Sequence, residues 1–417
     1  MGLNGALTAL RILAGLVISK LVAIHAGPAG MAMVGQLANF TSVLHGLAAA
    51  PISAGLVRYS SEHRDGGPAA CAPWWRAAFA WMLLISLMLT LPTWFLREWV
   101  AEYLFHSADQ AWCVDLVLMA LPFASLATLA TSCNNGLGNY AILMKAGFVG
   151  VVVATGLGAA LIFAWGLEGA LVATGIGMSV SGGWVILFSL RQPWLAIRWW
   201  VGRPDVGRMT DIARFMAMAL TAAVMVPVIQ LLIRNHLILH YGQDTAGLWQ
   251  ATGRISDAYL AVITTSLSLV YVPALARVKS QAQLRGEILG VLKLVVPCAI
   301  LMSLAVYLLR DPIIAVLYST RFEAVRDFVA YQSVGDVLKI VSWIWSYALV
   351  ARGAVKTYIF SEVFFCGLYY LLVLSLTAQT GAIGAVQAYA LVYLLYLGFM
   401  MIVVPRVLSR EFSHDQQ

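Results

Sequence analysis

Long stretches of this chain contain nothing that water would stabilise. Val149 to Ala164 and Leu368 to Leu376 run without one charged side chain, and similar runs recur over all 417 residues. A transmembrane helix needs about 20 predominantly apolar residues. Only 11% of the residues are charged and 61% are hydrophobic, against about 25% charged in a soluble domain. So few charges cannot cover a water-facing exterior, and most of the outer surface must face lipid. Backbone groups in hydrocarbon have to bond within the chain, which leaves helices or a closed barrel. A barrel would alternate apolar and polar over segments of about ten residues. The unbroken runs predict helices instead, and the expected fold class is an all-α polytopic membrane protein.

The first apolar stretch reads as a span and not as a cleavable leader, because Arg11 and Lys20 interrupt it and it reaches spanning length. Twelve candidate spans are centred near residues 14, 45, 84, 122, 153, 179, 222, 260, 300, 340, 366 and 392. Turn signals separate them, among them Gly27-Pro28, Asn134-Asn135-Gly136, Trp165-Gly166, Tyr241-Gly242 and Gly381. With a cytoplasmic N-terminus, only Arg97, Arg234, Arg310, Arg321 and Arg326 of the 26 Lys and Arg fall on the far side. Arg11, Lys20, Arg254 and Lys339 fall within spans, and the remainder, Arg214, Lys279 and Arg410 among them, lie on the cytoplasmic side. That asymmetry predicts a multi-pass protein of the bacterial inner membrane with both termini cytoplasmic. It also accounts for the net charge of +7 without a nucleic-acid partner.

The longest polar connection, Gln192 to Asp211, divides the chain near its middle. The expected organisation is a six-helix bundle over 1–191, a cytoplasmic linker over 192–208 and a second six-helix bundle over 209–417. The halves echo each other at an offset of about 217 residues. Gly35-Gln36-Leu37-Ala38-Asn39 aligns with Gly253-Arg254-Ile255-Ser256-Asp257, Gly136 with Gly353, and Gly166-x-x-Gly169-Ala170 with Gly381-x-x-Gly384-Ala385. Six helices per half is an even number, so both halves share one orientation. They would then be related by a pseudo-twofold axis along the membrane normal, with a central cavity suited to alternating access.

Ionisable groups deep in a bilayer cost at least about 2.5–3.5 kcal/mol each, so their presence marks candidate function. Arg254 and Asp257, and again Asp336 and Lys339, stand at i, i+3 on predicted helices, where each pair can close an internal salt bridge. Two readings follow: self-neutralised structural pairs, or cations that bind an anionic substrate beside carboxylates that take up a proton or sodium ion. Glu362 is a lone carboxylate in an apolar run, placed to exchange a proton. Arg11 and Lys20 are nine residues apart in the first span and do not share one face. Arg58, at the end of the second span, is an entrance residue or an orienting charge. The candidate substrate-binding set is therefore Arg11, Lys20, Arg58, Arg254 and Lys339, and the candidate ion-coupling set is Asp257, Asp336 and Glu362.

Trp74-Trp75, Trp94, Trp99, Trp194 and Trp199-Trp200 fall at predicted span ends and read as interfacial belts. Trp249, Tyr259, Trp343 and Trp345 stand near the charged helix segments, where they either pack or stack on sugar rings. The five cysteines show no metal-ligand spacing and read as small buried hydrophobes. No HExxH, GxSxG or P-loop pattern occurs. The expectation is a transporter with no catalytic residues, metal or cofactor beyond an ion gradient, and not a membrane polymerase, ligase or glycosyltransferase.

Three stretches resemble a known family. Ala246-Gly-Leu-Trp-Gln-Ala-Thr-Gly-Arg-Ile-Ser-Asp-Ala-Tyr-Leu260, Gln332-Ser-Val-Gly-Asp-Val-Leu-Lys339 and Gly27-Pro-Ala-Gly30 are similar to the Wzx-type flippases of O-antigen and enterobacterial common antigen assembly. These belong to the multidrug/oligosaccharidyl-lipid/polysaccharide exporter superfamily. The resemblance implies twelve helices in two V-shaped six-helix bundles around a central cationic cavity. It further implies an undecaprenyl-pyrophosphate-linked oligosaccharide as substrate, flipped to the periplasmic leaflet by alternating access. Membrane lipids, a glycan polymerase and a chain-length regulator are the implied partners. Lys20, Asp257, Asp336, Lys339 and Glu362 match charged family positions, Arg11 stands where the relative has a lysine, and Arg254 departs from a neutral position. The alternative within the superfamily is a multidrug or small-molecule cation antiporter, which predicts a cavity dominated by carboxylates.

Overall fold

A chain with so little polar surface closes its hydrogen bonds inside helices. The computed structural model describes residues 2–213, 216–278 and 280–414, and among them no strand occurs. Arg214 and Lys279, counted above with the cytoplasmic cations, lie outside the described residues. The helices are α1 (Gly2–His25), α2 (Gly27–Ala48), α3 (Ala50–Glu62), α4 (Gly67–Phe95), α5 (Arg97–Phe105), α6 (Ala111–Gly136), α7 (Tyr140–Ser189) and α8 (Val206–Ala213). There follow α9 (Met216–Ser266), α10 (Val272–Arg277), α11 (Gln281–Leu308), α12 (Arg310–Leu317), α13 (Val325–Arg352), α14 (Val355–Thr380) and α15 (Gly384–His414).

Eight helical segments of the described residues are long and apolar enough to cross a membrane, and the bent pair α2–α3 adds a ninth. Three of them, Tyr140–Ser189, Ala219–Ser266 and Val355–Val407, run for 50, 48 and 53 residues. A straight helix of that length would span roughly twice the ~30 Å of hydrocarbon, so each has to break. The breaks are glycines with positive φ: Gly166 (φ 57°, ψ −123°), Gly242 (φ 84°, ψ 163°) and Gly381 (φ 70°, ψ −158°). After two of these turns the chain folds back on itself. A Cβ on Gly169 would strike the backbone of Leu161, and one on Gly384 the backbone at Leu376 and Thr377. Counting each long segment as two crossings gives the twelve expected spans.

The backbone sharpens the internal repeat. Positive-φ glycines pair as Gly27 with Gly242, Gly138 with Gly353 and Gly166 with Gly381, at one constant separation of 215 residues. The alignment of Gly136 with Gly353 is thereby corrected. Gly136 is helical and needed for packing, since a Cβ there would meet Ser60 and the Val57 carbonyl. Gly138 is the residue in the positive-φ turn that Gly353 repeats.

The chain forms two compact units, one of Met1–Ala26 and Met33–Leu231, the other of Gly27–Ala32 and Leu232–Gln417. The division falls inside α9, later than the 192–208 connection, because the start of α9 packs on the first unit. Gly46 lies 3.2 Å from Ala223 when given a Cβ, and Asn39 Nδ2 donates to Gln230 Oε1 at 3.1 Å. The first turn of α2 groups with the second unit: Ala29 N–H donates to Asp244 Oδ1 at 3.0 Å, and Gly247 has no side chain where the Pro28 carbonyl approaches.

Each unit has its own core. In the first, Trp74, Trp75, Met82 and Trp194 pack with Ile52, Leu56 and Leu129. Trp74, Trp75 and Trp194 are 3%, 0% and 2% exposed, so they are core residues and not the interfacial belt expected of them. Trp94 and Trp99 are exposed, as a belt requires. In the second unit Leu260, Ile263, Ile340, Ile344, Phe365 and Tyr396 form the core. Outside both, Met88, Phe95, Phe123, Leu301 and Leu371 are exposed, the arrangement of a surface solvated by acyl chains.

Candidate functional site

Asp336 is the most deeply buried carboxylate that the sequence singled out, at 1% exposed. It stands on α13 and accepts hydrogen bonds from several side chains. Gln332, one turn earlier, donates through Nε2 to Oδ1 at 3.2 Å; Tyr389 of α15 donates its hydroxyl to Oδ1 at 2.8 Å; Tyr259 of α9 donates to Oδ2 at 2.5 Å. Gly335 makes this possible, because a Cβ there would overlap the Tyr389 ring. Ser303 of α11 stands 3.5 Å from the Tyr259 hydroxyl and itself donates to the Ser333 carbonyl at 2.7 Å. Four helices of the second unit thus converge on one carboxylate.

Lys339, three residues on, does not close the expected salt bridge with Asp336; among the described residues no ion pair joins them. Its Nζ lies over three rings instead, 4.9 Å from the centroid of Trp343, 5.8 Å from Tyr389 and 5.9 Å from Tyr393. An ammonium over an aromatic face is stabilised by the ring quadrupole, most when desolvated. The pair is held apart because each partner is satisfied separately, the carboxylate by hydroxyls and an amide, the ammonium by rings. Tyr389 serves both, its hydroxyl on Asp336 and its ring beside Lys339. Trp343 and Tyr259 are therefore occupied by the charges and are not bare platforms for sugar.

Glu362 of α14 is half-buried and not alone. Tyr396 donates to its Oε1 at 3.4 Å, and the Tyr396 and Ser346 hydroxyls lie 3.2 Å apart in a second hydrogen bond. Tyr389, Tyr393 and Tyr396 line one stripe of α15, with edge-to-face contacts between successive rings at 4.9 Å and 6.3 Å. The stripe runs from Asp336 past Lys339 to Glu362. Sequence reasoning missed these tyrosines and Gln332, although i, i+4, i+7 spacing along α15 and i, i+4 spacing with Asp336 were both legible.

Arg254 is half-buried and Asp257 exposed, both on α9. The expected i, i+3 salt bridge between them is likewise not formed among the described residues. Tyr318 packs beside this turn, its hydroxyl on the Ala251 carbonyl at 2.9 Å and its ring stacked on Phe322. Arg234, which the sequence assigns to the far side of the membrane, is 0% exposed. The guanidinium donates to Gln250 and sits 5.5 Å from the Trp249 ring.

In the first unit, Arg11 is exposed on α1 and Lys20 is half-buried about two and a half turns further on. Arg58 Nε is held by Glu62 Oε1 at 2.7 Å. Thr128 hydroxyl and His45 Nε2 share a hydrogen bond of 3.1 Å. These groups are not drawn into one cluster comparable to that around Asp336. No group of three or more His, Cys, Asp or Glu placed to hold a metal occurs among the described residues.

A model of the family described as polysaccharide biosynthesis protein matches residues 34–327. The lipid III flippases of Escherichia coli (strain K12) and of Shigella flexneri are each 31% identical over 403 residues, covering 94% of this chain and 94% of each relative. An inward-facing multidrug resistance MATE family transporter of the MOP superfamily shares the fold at TM-score 0.78 and 14% identity, covering 97% of this chain and 96% of that one. The lipid II flippase MurJ in an inward closed conformation shares it at TM-score 0.75 and 13% identity, covering 96% and 86%.

Proposed function

The chain belongs to the polysaccharide biosynthesis protein family, and on that premise we propose that it is a flippase for a lipid-linked oligosaccharide. Near-full-length similarity to two lipid III flippases carries the reading. The substrate is an undecaprenyl-pyrophosphate-linked glycan, moved from the cytoplasmic to the periplasmic leaflet by alternating access.

The chemistry of the site suits that cargo. A pyrophosphate diester carries two negative charges that hydrocarbon will not accept, and Arg or Lys offset the loss of their hydration. Lys339 and Arg254 of the second unit and Arg11 and Lys20 of the first are the binding cations. Lys339 has no contact carboxylate to surrender before it engages a phosphate; only ring contacts have to be exchanged. Arg58, already held by Glu62, meets substrate only by exchanging that partner. Asp336, Asp257 and Glu362 are the groups through which a proton or sodium gradient, or the membrane potential, drives the cycle. The antiporter reading requires carboxylates to dominate, whereas the candidate cations Arg11, Lys20, Arg58, Arg254 and Lys339 outnumber the carboxylates Asp257, Asp336 and Glu362.

Complementation of a strain lacking its lipid III flippase tests the reading. The wild-type chain should restore glycan at the cell surface, while Arg11→Ala and Lys339→Ala should abolish restoration at normal membrane abundance. Full complementation by both variants would sink the cationic binding set. Parallel complementation of strains lacking other flippases, scored by the glycan displayed, identifies the cargo.

A further inference from the structure

The segment between α7 and α8 is the most polar connection in the chain, yet it is not a loose linker. It folds as two single 3₁₀ turns, Pro193–Leu195 and Ile197–Trp199. The indole N–H of Trp199 donates to the Pro193 carbonyl at 3.1 Å, and that of Trp200 to the Trp194 carbonyl at 2.9 Å. Arg76 of α4 donates to the Arg198 carbonyl at 3.0 Å, and Trp81 of α4 to the Met209 carbonyl at 3.0 Å. Trp194 is buried beneath, 6.3 Å from Trp75 and 6.0 Å from Trp200 between ring centroids. The backbone is thereby fixed against the first unit's core.

What this fixed backbone turns outward is chemically mixed. Arg191, Arg198, Arg203 and Arg208 are exposed. Between them Ile197, Val201 and Val206 are 76%, 59% and 76% exposed. Asp205 is the one acid between residues 191 and 208, and its Oδ1 is taken by the Gly207 N–H at 2.8 Å. Arginines alone would suit water. Branched apolar side chains interleaved with them, on a segment that begins where a span ends, suit the boundary between headgroups and acyl chains. There the apolar groups bury while the guanidiniums reach phosphates at the same depth.

We propose that residues 191–208 form a docking surface for anionic phospholipid headgroups, with Arg198 and Arg203 on the phosphates and Ile197 and Val201 entering the acyl boundary. A soluble acidic protein would match the charges and leave the apolar side chains unexplained, and free phosphate would engage only the guanidiniums. The surface pins the connection between the two halves of the sequence to the bilayer.

Purified full-length protein in liposomes tests this with photoactivatable phosphatidylglycerol, read as labelling of the peptide spanning 191–208. Each juxtamembrane arginine contributes about a fivefold preference for anionic lipid. Arg203→Gln should therefore lower labelling about fivefold, and Arg198→Gln with Arg203→Gln by more than tenfold. Ile197→Ser with Val201→Ser should lower labelling by phosphatidylglycerol and by a phosphatidylcholine probe alike. The proposal is overturned if phosphatidylcholine labels the wild-type peptide as strongly as phosphatidylglycerol, if Arg203→Gln leaves labelling unchanged, or if millimolar inorganic phosphate displaces the probe. Arg203 is exposed, and among the described residues its side chain forms no hydrogen bond, ion pair or ring contact, so the single variant stays informative if the double variant is poorly produced.

Discussion

Gly335 carries a hydrogen where any other residue would carry a carbon inside the Tyr389 ring. That absence lets the Tyr389 hydroxyl come within 2.8 Å of Asp336, and the same ring flanks Lys339. Tyr389→Phe keeps the ring and removes the donor. The loss of a hydrogen bond to a buried acid should cost about 1.5–3 kcal/mol, seen as a lowered thermal midpoint in detergent, with transport reduced. Gly335→Ala should do more, since it displaces the ring from both charges at once; a variant as stable and active as wild type would show that Tyr389 is not held there. Trp343 offers a further residue-scale test. Replacing it with increasingly fluorinated tryptophans drains the ring face of charge, so activity should fall in step if the ring holds Lys339. Indifference to fluorination would leave Trp343 as packing only.

Among the helices, the decisive features are the turns that let one long apolar segment cross twice. Gly381 adopts φ 70° and ψ −158°, a region essentially closed to side chains, where a substituent costs about 1–3 kcal/mol. Gly381→Ala should therefore lower stability by that amount, and Gly166→Ala should match it because Gly166 is its partner in the repeat. Gly384→Ala should be worse than either, since its Cβ would meet backbone and not a side chain that can move. Thermal unfolding of the three variants measures the order, and equal midpoints would contradict it. The sequence showed these glycines as paired motifs. It did not show which glycine of each pair turns the chain and which one packs, because that depends on φ and on what lies opposite.

For the whole molecule, the sequence predicts that the connection between the halves and the C-terminus lie on the same side as the N-terminus. Reporter fusions at Arg203 and Arg410 should both read as cytoplasmic, and a periplasmic signal at either would overturn the orientation. Of the candidate residues, Asp336, Lys339 and Glu362 stand along one tyrosine stripe in the second unit. The sequence marked the charges because charge is conspicuous in an apolar run. It passed over the tyrosines because each one alone is ordinary in a membrane helix.

Composition and the spacing of apolar runs determined by themselves that this is a twelve-span helical membrane protein built from a repeated half. Hydrocarbon allows a backbone no other way to satisfy its hydrogen bonds across such runs. The exchange of partners was decided only in three dimensions. Asp336 and Lys339 are adjacent on one helix and ought to pair, yet Tyr259 and Tyr389 arrive from other helices to take the carboxylate, and Trp343, Tyr389 and Tyr393 surround the ammonium. Local spacing names the pair that can form; tertiary packing supplies the competitors that keep it apart.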